Sequence, residues 1–115
     1  MRAYSGTYIE NGNIVLTVHL EGLYTVVDRL SPTQAHHVIV SLIKGEEKDV
    51  SIASGSVLSY NPLDQGEPMI DYKTGNLSIV LRGDELSSLV DALSRAMDEL
   101  LLIETEKMKE KSWLN

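Results

Sequence analysis

The feature that most constrains this chain is one helical turn with no polar side. Between Asp84 and Lys111 the apolar residues Leu86, Leu89, Val90, Leu93, Met97, Leu100 and Leu101 recur at threes and fours. That is the spacing of a helix with one buried face. At Leu100, Leu101, Leu102 and Ile103 the pattern overflows, and the turn is apolar all the way round. A lone helix on a small sheet cannot bury every side of such a turn, so something else has to cover it. A second copy of the chain is the simplest cover, because a symmetric pair buries the same patch twice. Met97, Leu100, Leu101, Leu102 and Ile103 are therefore the expected interface of a homo-oligomer, a dimer or higher.

The rest of the chain reads as strands and one shorter helix. Ala3 to Ile9 has strand character and ends at Asn11-Gly12, a tight-turn pair in which both residues tolerate positive φ. Ile14, Leu16, Val18 and Leu20 then alternate with Val15, Thr17, His19 and Glu21, the period of a strand with one buried face. Leu23 to Asp28 completes a meander. Ser31 opens a helix, with Pro32 at the first helical position and Gln34 at capping-box spacing. Ala35, Val38, Ile39, Leu42 and Ile43 form its apolar stripe, and Gly45 stops it. Val50 to Ala53, Ser56 to Tyr60, Met69 to Tyr72 and Leu77 to Leu81 read as further strands. Asn61 to Glu67, punctuated by Pro62, Gly66 and Pro68, reads as an irregular loop.

The expected fold is α+β, a single domain over residues 1–115. One mainly antiparallel sheet, the meander plus a second hairpin group, carries the short helix and the long C-terminal helix on one face. Its core is expected from Ile14, Leu16, Val18, Leu20, Val38, Ile39, Leu42, Leu77, Ile79, Leu81, Leu89, Val90 and Leu93. Gly12-Asn13-Ile14-Val15-Leu16 faintly echoes Gly75-Asn76-Leu77-Ser78-Ile79, the mark expected of a duplicated strands-then-helix unit.

Composition narrows the chemistry. With 115 residues, 43% of them apolar, there is material for one core. The absence of cysteine removes disulfides, thiolate catalysis and zinc–sulfur sites. No charged-then-apolar leader pattern and no run of about 20 apolar residues is visible, so the expectation is a cytoplasmic protein with no membrane partner. The formal net charge of −7 opposes condensation on phosphate backbones and anionic membranes and suits a basic partner.

No motif for catalysis, a cofactor or a metal is present. His36 and His37 are neighbours on a helix and point about 100° apart, which suits no shared ion. No nucleophile elbow surrounds any serine. Asp84 and Glu85 have a sufficient role at a helix N-terminus. Asp64 and Glu67 lack the repeated acidic spacing of a calcium loop and are kept, with Trp113 in the C-terminal tail, as candidate contacts to a partner. The aromatic set is unusual: five tyrosines, one tryptophan and no phenylalanine. A buried tyrosine hydroxyl needs a partner, so a set rich in tyrosine and without phenylalanine points to half-wet positions. Tyr4, Tyr8, Tyr24 and Tyr72 are the candidate face for a small ligand or for stacked bases.

The leading functional expectation is a small acidic, non-catalytic binding or adaptor protein that oligomerises through its C-terminal helix. The alternatives are a single-stranded nucleic-acid-binding protein using the tyrosine-bearing sheet face, and a chaperone-like protein that sequesters a small molecule or a protein partner. The meander followed by a helix, with helix-mediated pairing, is similar in outline to Whirly-type domains. That resemblance is architectural and implies base stacking on the sheet.

Overall fold

The computed structural model describes residues 2–23, 25–52 and 54–113, the side chains of 110–113 excepted. The order of elements is β1 (Ala3–Glu10), β2 (Asn13–Leu20), β3 (Thr25–Leu30), α1 (Pro32–Lys44), β4 (Lys48–Ser51), β5 (Val57–Asp64), β6 (Glu67–Thr74), β7 (Leu77–Arg82) and α2 (Asp84–Trp113). The fold is α+β, as the alternation and the two helical repeats require. The strands form two antiparallel sheets rather than the expected one: a first of order β1-β2-β3 and a second of order β4-β5-β6-β7. The division falls at α1, which carries the chain from one sheet to the other.

The first sheet follows from local chemistry. Asn11 (φ 51°) and Gly12 (φ 78°) both occupy the left-handed region, as a two-residue turn joining twisted strands demands. The turn sets the register, pairing Glu10 with Asn13 and Ala3 with Leu20. Ile14, Leu16, Val18 and Leu20 thereby share the buried face. Helix α1 begins with both arms of the capping box in place: Gln34 N–H donates to Ser31 Oγ at 3.1 Å, and Ser31 N–H donates to Gln34 Oε1 at 2.8 Å. Gly45 (φ 66°) ends it in the left-handed conformation, its N–H donating to Ser41 O.

The segment expected to be an irregular loop is the end of one strand and the start of the next. Asn61 pairs with Met69 and Asp64 with Glu67, so Pro62 and Leu63 lie opposite Pro68 alone, a β-bulge. Both prolines sit where the ladder shifts and asks for no N–H. They read as breakers in the sequence for the same reason that the strands accept them.

One continuous core joins the two sheets and both helices, and includes Ile14, Leu16, Leu30, Val38, Leu58, Ile70, Leu81, Leu89 and Leu93. Each fully buried leucine contributes about 1.5–3 kcal/mol relative to exposure. Ile39, Leu42 and Val90 pack on its margin. Leu77, expected inside, is exposed, because it opens β7 at the sheet's end. Helix α1 packs on β4 and β5 and touches β2 and β3; α2 runs along β1 and reaches β7. The helices therefore contact both sheets, not one face of a single sheet.

The outer edge of β1 is closed by α2. Ala3 N–H donates to Glu85 Oε2 at 2.7 Å, Ser5 N–H to Ser88 Oγ at 3.1 Å, and Thr7 Oγ1 to Ala92 O at 2.8 Å. Side chains and a carbonyl of the helix thus take the place of a neighbouring strand, one way of protecting a sheet edge. The echo between Gly12–Leu16 and Gly75–Ile79 falls on the starts of β2 and β7. The first is followed by another strand and the second directly by a helix, so the two strands hold different places in their sheets. The echo reflects turn-and-strand chemistry common to two hairpins.

Candidate functional site

Helix α2 has 30 residues and is therefore about 45 Å long. The molecule measures 56 × 31 × 24 Å, so the helix follows its long axis. Leu86, Leu89, Leu93, Ala96 and Leu100, spaced three and four apart, form its buried stripe. Of the five residues expected at an oligomer interface, Leu100 belongs to the chain's own core, because it continues the stripe of Leu89, Leu93 and Ala96 that packs on the body. Met97 packs partly on that core and Ile103 is half-buried. Leu101 and Leu102 are each 64% exposed. From Glu104 to Lys109 every residue is exposed, Met108 included. The overflowing turn is thus divided: Leu100 lies in the core, Ile103 is half-buried, and Leu101 and Leu102 face solvent.

The tyrosines are divided too. Tyr4 and Tyr8 stand on the outer face of the first sheet, 45% and 50% exposed. Four residues apart on one strand, their Cα atoms are separated by about 13 Å. Between them lies Gly6, where an added Cβ would come within 3.2 Å of Thr17 Oγ1. Across the strands Tyr4 aligns with His19 and Thr25, and Tyr8 with Val15 and Arg29. Arg2 Nη1 donates to Tyr4 Oη at 3.3 Å, and Arg29 bonds Glu10 at 2.9 Å. Beside this face an open cleft of about 610 Å³ separates Tyr4 and Gly6 from Asp91, Arg95 and Glu99 of α2. Tyr24 lies outside the described residues.

Tyr72 does not belong to that face. It is fully buried at 0% exposure, and its hydroxyl donates to Asp28 Oδ2 across 44 residues of chain. Tyr60, on the neighbouring strand, is buried as well. A tyrosine was therefore not a sign of a wet position here; the partner its hydroxyl needs is an aspartate on the opposite sheet. Asp28 also accepts from Ser54 Oγ, and Ser54, Ser56 and Thr74 continue the network, with Ser56 Oγ donating to Thr74 Oγ1 at 2.9 Å. Burial alone would push the Asp28 carboxyl up. The hydrogen bonds from Ser54, Tyr72, Ser56 and the Arg29 N–H outweigh it and hold the pKa below the usual value. Burial, and then the bond to Asp28 and its charge, push the Tyr72 hydroxyl well above the ordinary phenol range. The sequence carried one sign of this: Val26, Asp28 and Leu30 alternate inward on β3, which sets a carboxylate among core positions.

Asp64 and Glu67 do come together, flanking the β5–β6 turn, but both face Arg82. Asp64 forms an ion pair with Arg82 Nη2, and Glu67 lies 3.6 Å from Arg82 Nη1. Their charge is engaged by Arg82 of β7, in the same sheet. The Trp113 side chain lies outside the described residues. Among the described residues no three histidine or acidic side chains converge in a way that could hold a metal ion, and no helix is long and apolar enough to cross a membrane. In comparisons with known proteins, no family model, curated protein or solved structure matches the chain.

Proposed function

We propose that this chain is a non-catalytic, oligomeric binding or adaptor protein of the cytoplasm, assembled through the exposed end of α2. The observation that carries the reading is Leu101 and Leu102, two large apolar side chains adjacent on a helix that has left its own core. Burying both from each of two copies returns about 4–8 kcal/mol. Association costs about 4–15 kcal/mol. The leucines alone hold a pair only marginally, so the assembly is expected to dissociate on dilution. Sedimentation velocity across a dilution series, with native mass spectrometry for the subunit count, tests it. The wild type should be an oligomer at high concentration, and the Leu101→Glu/Leu102→Glu variant a monomer throughout. A wild type that stays monomeric, or a double variant that assembles unchanged, refutes the reading.

A second reading rests on Tyr4 and Tyr8, which share an exposed face with Arg2, His19 and Arg29 near them. Two rings either side of a side-chain-free position suit alternate bases of a single strand. Fluorescence anisotropy with a labelled oligonucleotide should show affinity that falls with salt and on Tyr4→Leu or Tyr8→Leu. Affinity that ignores both substitutions excludes stacking as the mechanism.

A further inference from the structure

We infer that two copies pair their α2 helices antiparallel, with the two-fold axis passing between Leu102 and Thr105. This rests on the reading of α2 as an assembly surface and names the partner and its orientation. Asp98, Leu102, Thr105 and Lys109 are spaced four, three and four apart, so they form one stripe along the helix, and all four are exposed. Leu101 flanks the stripe. The Thr105 hydroxyl donates to the Leu101 carbonyl at 2.8 Å, which satisfies its polar atom within the helix and leaves its methyl for contact.

The stripe is self-complementary in one direction only. In an antiparallel pair about that axis, Asp98 of each copy lies opposite Lys109 of the other, and Leu102 opposite Thr105. Both ends then carry an opposite-charge pair, and the apolar groups meet in the middle. In a parallel pair Asp98 meets Asp98 and Lys109 meets Lys109, a like-charge arrangement at both ends. Position along the helix gives the same answer independently. The body packs on α2 up to Leu100, and each chain has a formal net charge of −7. A parallel pair sets two acidic bodies side by side; an antiparallel pair sets them at opposite ends. The overlap from Asp98 to Lys109 is about 18 Å long.

The chain contains no cysteine, so introduced thiols react only where they are placed. Asp98→Cys and Lys109→Cys chains would be oxidised separately and as an equimolar mixture, and the products weighed. The expected result is a mixed disulfide dimer in the mixture and none from either variant alone. A disulfide between two Asp98→Cys chains overturns the orientation while leaving assembly through α2 standing. An oligomer that forms no disulfide in any sample overturns this register. A wild type that is monomeric by mass overturns the assembly reading itself. Charge exchange gives a second measurement without thiols. Asp98→Lys should weaken the dimer about tenfold, and Asp98→Lys/Lys109→Asp should restore it. No restoration overturns the pairing of these two residues.

Discussion

Replacing Tyr72 by phenylalanine removes one oxygen and leaves the ring in place, so it removes the bond from Tyr72 to Asp28 across the two sheets together with the hydroxyl's contacts to Thr74 and Ser56. The ring is fully buried and is unchanged in shape by the substitution, apart from the space of the one lost oxygen. The acceptor, Asp28, is 4% exposed and keeps its bonds from Ser54 and the Arg29 N–H. A hydrogen bond to a charged group is worth about 1.5–3 kcal/mol. With an unfolding entropy of about 0.24 kcal/mol/K for a chain of this size, the loss corresponds to a Tm lower by about 6–12 °C. The sign of the pH dependence follows from the lowered pKa of Asp28. A carboxyl whose folded pKa lies below its unfolded value of 3.8 contributes stability above that value and loses it as pH falls through the folded one. Without the Tyr72 donor the folded pKa moves up toward the unfolded value. Stability of the variant should therefore fall less between pH 7 and pH 3 than that of the wild type, and the gap between the two should narrow in acid. Urea unfolding at both pH values measures this. A loss below about 0.5 kcal/mol at pH 7, or a gap equal at both pH values, refutes a charged Asp28 as the acceptor that matters.

Ser31→Ala removes the side-chain acceptor that caps α1 and should cost about 1 kcal/mol by chemical denaturation, with the Gln34 amide exchanging faster with solvent. Leu93→Ala, at a site with no exposure, should cost about 2–5 kcal/mol in the same assay, since the surrounding sheet and helix cannot close fully on the cavity. Glu85→Gln keeps an acceptor for the Ala3 N–H but removes its charge; a loss of about 1 kcal/mol and faster exchange at Ala3 are expected. Arg82→Ala frees Asp64 and Glu67 from a partly exposed pair and should change stability by less than about 1 kcal/mol.

What was legible in the sequence was whatever is decided locally. The inward set of β2 (Ile14, Leu16, Val18 and Leu20), the Asn11-Gly12 turn and the caps at Ser31 and Gly45 are each set by residues within a few positions of one another, and each stands where the pattern implied, whereas Val15, expected on the open face of β2, is buried as well. Alternation says which side of a strand is buried but not which strand lies beside it, so the division into two sheets was not visible. Pro62 and Pro68 carry the same signal in a loop as at a bulge, and only the partner strand distinguishes them. Tyr72 shows the limit most plainly. Its partner is 44 residues away, and nothing near it in the chain distinguishes a buried tyrosine with an acceptor from a half-wet one. The surplus of apolar surface at Leu100 to Ile103 was readable as an amount. Its direction depends on where the body ends along α2, which is a property of the packed whole.

The closure of β1 by α2 also sets a timetable. The bonds from Ala3 and Thr7 reach partners 82 and 85 residues further along the chain. At a synthesis rate of about 5–20 residues per second, the first strand waits about 4–17 s before the helix that completes its edge has been made. During that interval β1 can pair with β2 but offers its other side to any extended segment nearby. Long-range closure of this kind also slows folding of the finished chain, because the loop entropy is lost before the contacts repay it. The last quarter of the polypeptide thus acts as the latch on its first ten residues, and the nascent protein is most open to mispairing before α2 arrives.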